Sequence, residues 1–524
     1  MTIISYEFLL FTAVFILIYF IFPKRAQWYV ILAGNVVFYA FSGLDNLLIV
    51  LATSASSYFF SVKMQENLIR QNELIAGLDR KEARAIKEQM KESRKKLLVT
   101  ALVIVIGVLA FLKYYNFAIQ SINSLFHMDR LPGLDLIAPL GISYYTFMLI
   151  SYLVDVYNGK VKVEKNLAKF FAYILYFPQI TQGPIARYNE VAPQIFAEHD
   201  FDYDTLRKGI WLMIWGYFKK LVIANRVSPY VLYIINPGNG VQGPSLLLAP
   251  LLFSVQVYCD FSGCMDIVRG ISECLGIKLS ENFERPYFSK TLPEFWRRWH
   301  ISLGAFFREY VFYPVSTTKL FLKINTKSRK RFGNEAGRVI ASCLPIMCVW
   351  ILTGLWHGAG TNYIAWGLYH GILICLSTAI EKPAAQWSEK LHMNRECFAW
   401  KLFQMLRTFS LCVVGRVFFI TGSLGHSLYV FRNIFFTAGR PVNVFADCSP
   451  LEAAVICLSC AVLFSVSVVQ ERMKNKGDTR TIRDWFITRS LPLRWAVIIA
   501  GVLFIFIFGA YGSGTGSSFV YERF

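Results

Sequence analysis

The chain has 524 residues, of which 55% are hydrophobic and 16% aromatic, and it carries a formal net charge of +20. The apolar residues occur in long runs, which excludes a set of ordinary soluble domains and indicates a polytopic membrane protein. The charge does not indicate nucleic-acid binding, because lysine and arginine cluster in the loops between apolar runs, as in the cytoplasmic loops of membrane proteins.

The apolar runs are the candidate membrane segments. Several are shorter than the roughly 20 residues that a straight spanning helix needs, so tilted or re-entrant pieces are expected among them. The first run lacks a charged leading region and a small-residue cleavage site, which predicts a retained helix and not a signal peptide. The candidates are 6–22, 28–42, 46–62, 97–113, 138–157, 168–181, 209–235, 246–259, 338–356, 361–380, 403–421, 451–469 and 494–511.

The basic loops predict the orientation of the chain. Lysine and arginine cluster at 24–25, 63–96, 160–165 and 471–494. The positive-inside rule places these loops in the cytoplasm, so the N-terminus and the last segment, 512–524, are both expected outside. The sequence leaves open how often the chain crosses between 182 and 337.

A single integral membrane domain is expected over residues 1–524. Within the loop 63–96, i,i+4 pairs such as Arg84 with Glu88 predict a cytosolic helix or a helical hairpin. The expected parts are N-terminal helices (1–62), a charged cytoplasmic loop (63–96), a catalytic core (97–380) and C-terminal helices (381–524).

A helix break is predicted at FPQITQGPIARY, residues 177–188. Its two prolines and one glycine stand in an apolar setting, where irregular backbone is tolerated if it is buried in protein or lines a cavity. In that case Gln182 would face a substrate path. An ordinary loop at the membrane surface is the alternative.

The segment QVYCDFSGCMDIVRG, residues 256–270, brings charges into an apolar region. Asp266 and Arg269 are spaced to neutralise each other on one helix face. Asp260 and Ser262 have no such obvious partner, which makes them better candidates for the substrate path.

The segment 283–314 is the most informative polar stretch. Thr291 and Glu294 form a capping-box pattern, which predicts a helix that continues to about Tyr310. Its arginines and tryptophans are typical of a helix at the membrane interface. His300 lies in the middle of this predicted helix and is either a structural group or part of a site.

Arg297 and Arg298 precede this histidine, together with Trp296. Guanidinium groups bind phosphate oxygens through two hydrogen bonds, so the arginine pair suits a phosphate-bearing ligand. Lipid head groups are the other ligand that would satisfy the same chemistry.

The stretch 349–371 places two histidines, His357 and His370, among tryptophans and tyrosines. A polar imidazole in an apolar setting indicates a functional site. Trp356 and Gly358 flank His357, and the glycine allows close approach of backbone or substrate. His370 and Asn362, on the following segment, are expected to contact the residues that form the site and not the substrate itself. The stretch predicts a reaction chamber.

Other chemistries find little support. The eleven cysteines show one CxxC, at Cys457 and Cys460 inside an apolar run, which is typical of packing thiols, so no metal site is predicted. The sequence shows no internal repeat and no Walker, Rossmann or zinc-protease pattern.

Two motifs together resemble the signature regions of the membrane-bound O-acyltransferases. They are PEFWRRWHISL (293–303) and LTGLWHGAGTNYIAWGLYHG (352–371). The segments FPQITQGPIARY and YCDFSGCMDIVRGISECLGIKLSENFERPYF precede them in the order typical of the bacterial branch. The spacing of His300 and His357 is also similar to that of the family.

The resemblance implies an all-α polytopic fold, a ring of membrane helices around a thin centre that a funnel crosses. It implies that His357 is the catalytic histidine of the family and that His300 is the second histidine of the family's motifs. An acyl group, acetyl in this branch, would pass from a cytoplasmic thioester, acyl-CoA or an acyl carrier protein, to an acceptor outside. An extracytoplasmic SGNH-type transferase is the implied partner, with no tightly bound cofactor. The bacterial cell membrane is the implied location.

The chemistry of the residues fits this resemblance. Acyl transfer to a hydroxyl needs a general base and donors for the developing oxyanion. We hypothesise that His357 is the base and that backbone N–H groups near Gly358 or an indole N–H serve the oxyanion. D-alanyl transfer to teichoic acid, a transporter of lipid-linked glycan and a non-catalytic scaffold are the alternatives.

Overall fold

The computed structural model describes residues 2–511, except 128–130, 135, 137–138, 181, 438–447 and 479. Within these residues the chain is helical, and its single β-bridge joins Phe283 to Trp299. Compactness divides the chain into two units. The first consists of Met1–Ile210 and Val268–Ser280, and the second of Trp211–Ile267 and Glu281–Phe524.

The first unit contains the N-terminal helices. They are α1 (Tyr6–Ile21), α2 (Gln27–Ala40), α3 (Leu44–Ile75), α4 (Arg80–Phe126), α5 (Ile142–Tyr157), α6 (Leu167–Ile174), α7 (Phe177–Ile180), α8 (Tyr188–Ile195) and the start of α9 (Tyr203–Tyr217). The helical hairpin predicted for 63–96 is confirmed, because α3 and α4 continue far beyond their apolar parts. Asp79 caps the second helix by accepting hydrogen bonds from the backbone N–H groups of Lys81 and Glu82.

The second unit holds most of the longer apolar helices. They are α10 (Asn225–Ile235), α11 (Leu248–Cys274), α12 (Leu292–Arg298), α13 (Ile301–Phe307), α14 (Tyr313–Ser316), α15 (Lys319–Phe332), α16 (Asn334–His357), α17 (Thr361–Lys390), α18 (Phe398–Ile420), α19 (Leu424–Phe436), α20 (Pro450–Asn475), α21 (Ile482–Ile487) and α22 (Leu491–Phe508). Two π-helical segments, Phe218–Ala224 and Arg308–Phe312, interrupt the regular helices. The end of α11, from Val268, belongs to the first unit.

Eight helices among the described residues are long and apolar enough to cross a membrane. They are α3, α4, α11 with the turn before it, α16, α17, α18, α20 and α22. Large apolar side chains of α22, among them Val502, Phe506 and Ile507, are exposed as lipid-facing residues would be. The protein is therefore an all-α polytopic membrane protein. The ring arrangement and the orientation of the termini stay predictions, and 512–524 lies outside the described residues.

Three predicted segments differ from the observed helices. The candidate 168–181 is divided into α6 and the four-residue α7, and α5 begins only at Ile142. The candidate 209–235 contains the π-helical segment and is not one regular span. Of the two interpretations of 177–188, the ordinary surface loop is wrong, because Gln179, Gln182 and Ala186 are buried. Proline and glycine break the helix there, while the surrounding protein covers the backbone.

Candidate active site

One cavity in the second unit is lined by two of the three histidines of the signature motifs, His300 and His357. It has a volume of about 470 Å³, and its walls come from α12, α13, the π-helical segment after them, α16 and α17. The two residues come from different segments, since His300 lies between α12 and α13 and His357 is the last residue of α16. The reaction chamber predicted from 349–371 thus receives its second histidine from an upstream segment.

The helical hairpin α16–α17 positions His357. A Cβ atom on Gly354 would lie 2.4 Å from the carbonyl oxygen of Tyr363, and one on Gly367 would lie 2.3 Å from that of Trp350. Glycine at both positions lets the two helices pack backbone to backbone. His357 is the last residue of α16, so its imidazole stands at the end of a closely packed pair.

Aromatic rings surround the imidazole of His357. The ring centroids of Trp356, Trp366 and Phe419 lie 4.7, 4.8 and 4.9 Å from its own. Trp356 also lies 5.7 Å from the ring of His300, so one indole contacts both histidines. His357 is only 5% exposed, and the aromatic walls limit the directions in which it faces open space.

The helix predicted through His300 is broken at that residue. Thr291 accepts a hydrogen bond from the backbone N–H of Glu294 as predicted, but α12 ends at Arg298. His300 has a left-handed backbone, with φ of 48° and ψ of 56°, and α13 begins after it. Local helix signals do not predict this conformation, since a non-glycine residue with positive φ is rare.

The ring of His300 is buried in apolar surroundings. Its edge-to-face neighbour is Phe261, with centroids 4.7 Å apart, and neither of its ring nitrogens has a hydrogen-bond partner within the described residues. Burial lowers the pKa of this imidazole to about 3. His300 is therefore neutral at physiological pH and keeps one N–H donor and one nitrogen acceptor.

The lowered pKa of His300 predicts a loss of stability in acid. In the unfolded chain the imidazole has a pKa of about 6.5. Between that pH and about 3, the unfolded chain therefore binds a proton that the folded chain does not bind. Stability should fall by up to about 1.4 kcal/mol for each pH unit below 6.5, and it should not vary through this group above 6.5. Unfolding in detergent at pH 5 and 7.5 measures this, and His300→Gln should show a smaller acid loss. An equal loss of stability in acid in the wild type and in His300→Gln would contradict the lowered pKa of His300.

One arginine of the predicted pair and one arginine that was not predicted provide the positive charge of the cavity. Arg297 and Arg308 are exposed and line it. Arg298 does not line it, and its guanidinium forms ion pairs at 2.7 Å with Glu294 and at 2.9 Å with Glu471. The suggested phosphate-binding role of the Arg297–Arg298 pair is therefore not supported at Arg298, because two carboxylates already neutralise it.

The side chains of Asp260 and Ser262 are bonded to two lysines. The Lys220 ammonium lies 2.5 Å from Asp260, and Lys219 donates to Ser262 at 2.9 Å and to Asp266 at 2.7 Å. The expectation that Asp260 and Ser262 lack partners is therefore wrong, and neither lines the cavity described above. The sequence hid these partners because they lie about 40 residues upstream, in the π-helical segment.

The remaining predicted site residues lie at different depths. Trp296 lines the cavity, and its indole N–H is buried and has no acceptor within the described residues. His370 packs on Trp296 at 5.0 Å and does not line the cavity. Asn362 is buried and donates to two carbonyl groups at the end of α18. Gly358 contacts the ring of Tyr363, and Gln182 is a buried residue of the first unit.

Arg308, Phe419 and Arg416 were not identified as site residues from the sequence. Arg308 follows Arg297 by about three helical turns, a same-face spacing that could have identified it. Phe419 contacts His357, and the Arg416 guanidinium lies 4.6 Å from the ring centroid of Trp299, next to His300. No local pattern points to these two, because α18 comes from a distant part of the chain.

Comparisons with known proteins show the family to which the sequence is related. The sequence model of the membrane-bound O-acyltransferase family matches residues 160–328, which include His300 and end before His357. A probable alginate O-acetylase of Pseudomonas syringae pv. tomato is 30% identical over 421 residues, 79% of this chain and 71% of the relative. A peptidoglycan O-acetyltransferase of Helicobacter pylori is 27% identical over 440 residues, 79% of this chain and 74% of the relative. A teichoic acid D-alanyltransferase of Bacillus subtilis is 32% identical over 293 residues, 52% of this chain and 70% of the relative.

Proposed function

The chain belongs to the membrane-bound O-acyltransferase family, and we propose that it transfers an acetyl group from a cytoplasmic thioester to a hydroxyl group of a cell-envelope polysaccharide or of a relay protein. It is an acyltransferase, so a transporter or a scaffold is not its primary role. The observation that carries the proposal is that one cavity is lined by both His300 and His357. The acetyl group is favoured because relatives named for O-acetylation align with 79% of the chain, against 52% for the D-alanyl relative.

In this proposal His357 is the general base. Its imidazole takes the proton of the acceptor hydroxyl as the oxygen attacks the thioester carbonyl, and a C–O bond forms. The C–S bond then breaks, and the proton passes from the imidazolium to the leaving thiolate. The products are an ester and a free thiol, so the histidine returns to its neutral state.

The developing oxyanion needs donors aimed into the cavity. The indole N–H of Trp296 is one, since it is buried at the cavity wall without another acceptor in the described residues. Neutral His300 supplies a second N–H, because its ring nitrogens are likewise unpaired there. Backbone N–H groups near Gly358 have less support, because Gly358 does not line the cavity.

Arg297 and Arg308 would hold the phosphates of an acyl-CoA or of a carrier-protein arm. Loss of one charge-assisted hydrogen bond costs about 1.5–3 kcal/mol, so Arg308→Gln should raise the KM for acetyl-CoA about 10-fold or more while kcat stays nearly constant. The KM for an acetyl N-acetylcysteamine thioester, which has no phosphate, should not change. The matched control is Arg395→Gln, at an exposed arginine that does not line the cavity. An equal rise in KM for both donors would contradict the phosphate role.

Partners and location follow from the same proposal. The acceptor would lie outside the cell membrane of a bacterium, with the N-terminus on that side, and an extracytoplasmic SGNH-type transferase would take over the acyl group. The names of the relatives support an envelope polymer as the final acceptor, since they name alginate, peptidoglycan and teichoic acid.

The test of the function is transfer of labelled acyl groups by purified protein in liposomes. Acetyl-CoA and D-alanyl carrier protein are offered separately as donors, with polysaccharide and teichoic acid as acceptors. Label moving from acetyl-CoA to a polysaccharide or to a protein supports the proposal. Transfer from the D-alanyl carrier alone would favour the alternative activity, and absence of transfer from every thioester would overturn both.

A further inference from the structure

The left-handed residue His300 begins α13 without capping it. Residues at this position usually accept a hydrogen bond from the first backbone N–H groups of the helix through their own side chain. The side chain of His300 makes no such bond. Its imidazole lines the cavity instead, so another residue has to satisfy the start of the helix.

Asn282 satisfies it from an upstream segment. Its side-chain oxygen accepts a hydrogen bond from the backbone N–H of Ser302 at 2.8 Å, and its carbonyl oxygen accepts one from Ile301 at 3.1 Å. Its amide N–H donates to the sulfur of Met265 at 3.3 Å. Asn282 is 1% exposed, so no water replaces these contacts easily.

The backbone beside Asn282 holds the other side of His300. Phe283 forms the β-bridge with Trp299, and the N–H of Glu284 donates to the carbonyl of Arg298 at 2.9 Å. The segment 282–284 thus runs antiparallel to 298–302 and fixes the residues before and after His300. The left-handed backbone of His300 is held by these contacts rather than by its own preference.

We propose that Asn282 is a positioning residue for acyl transfer, which caps α13 in place of His300 and thereby keeps the His300 imidazole directed into the cavity. The inference rests on the proposed function for its effect on rate. Because a displacement of about 1 Å at a reacting group can cost about 100-fold in rate, the effect should appear in kcat and not in donor binding.

The test compares Asn282→Ala, which removes the acceptor, with Asn282→Asp, which keeps it. Activity per folded protein should fall about 10- to 100-fold in kcat for alanine, with the KM of the donor little changed. Asp should restore most of the kcat per folded protein, because it keeps the oxygen that accepts the N–H of Ser302, while its buried charge should lower the folded yield. The control is Asn35→Ala, at a buried asparagine of the first unit whose oxygen accepts the N–H of Phe177 at 2.9 Å. It should lower the folded yield without lowering kcat.

Two further measurements separate this inference from the proposed function. Adding Asn282→Ala to His300→Ala should cause no further loss of kcat, since both changes act through one imidazole. Modification of His300 by diethylpyrocarbonate, read by mass spectrometry, should be faster in Asn282→Ala than in wild type, and this readout needs no activity. An unchanged modification rate, or an aspartate variant as slow as alanine, would overturn the positioning role. Absence of acyl transfer in the wild type would overturn the proposed function alone.

Discussion

His357→Ala is expected to lower kcat for acyl transfer by about 10²–10⁴-fold, the contribution typical of a general base. The imidazole stands at the end of α16 among three aromatic rings, and alanine leaves no group there that accepts a proton. The KM of the donor should change little, because the arginines expected to bind it are separate from His357. Initial rates with labelled acetyl-CoA, divided by the amount of folded protein, measure both constants.

Two comparisons make this result specific to the base. His392→Asn, at an exposed histidine, should keep wild-type rates. His300→Ala should lose less than His357→Ala, because neutral His300 is proposed to donate a hydrogen bond and not to carry the proton. A folded His357→Ala protein with full transfer would refute the base assignment, and full activity in His300→Ala would reduce that residue to a structural role.

The sequence identifies the two histidines better than it identifies their surroundings. The motifs around His300 and His357 are local, so they can be recognised from the sequence without knowledge of the fold. In the structure both residues line one cavity. The capping signal at Thr291 is also local and is found as predicted. The break at His300 was missed, because helix signals act over a few residues whereas Asn282 holds the break from upstream.

Charge partners show the same limit. Arg298 was expected to bind phosphate, but Glu471, which neutralises it, belongs to α20 and has no sequence relation to the motif. Lys219 and Lys220 stand in an apolar run and are buried, where Asp266 and Asp260 on α11 pair with them. A charge in an apolar run therefore indicates a partner, but only the fold tells which one.

A large stability effect is expected at the buried pair Lys220–Asp260. Both side chains are at most 3% exposed, and removing one member of such a pair leaves a buried charge, which costs about 3–5 kcal/mol. Lys220→Met and Asp260→Leu should each strongly reduce the folded fraction, measured by unfolding in detergent. The double variant should recover much of the loss, since it buries no isolated charge.

The exposed pair Lys382–Glu335 is the matched control for Lys220–Asp260. Its side chains are 64% and 70% exposed, so Lys382→Met should change stability by only about 0–1 kcal/mol. If the double variant at 220 and 260 were as unstable as the sum of the two single ones, the ions would not be coupled.

The Lys220–Asp260 pair also bears on the site, because Asp260 adjoins Phe261, whose ring packs on His300. A folded double variant with normal kcat would show that the Lys220–Asp260 pair stabilises α11 and does not affect His300. A reduced kcat would show that the pair, by fixing the position of α11, sets the orientation of the His300 imidazole.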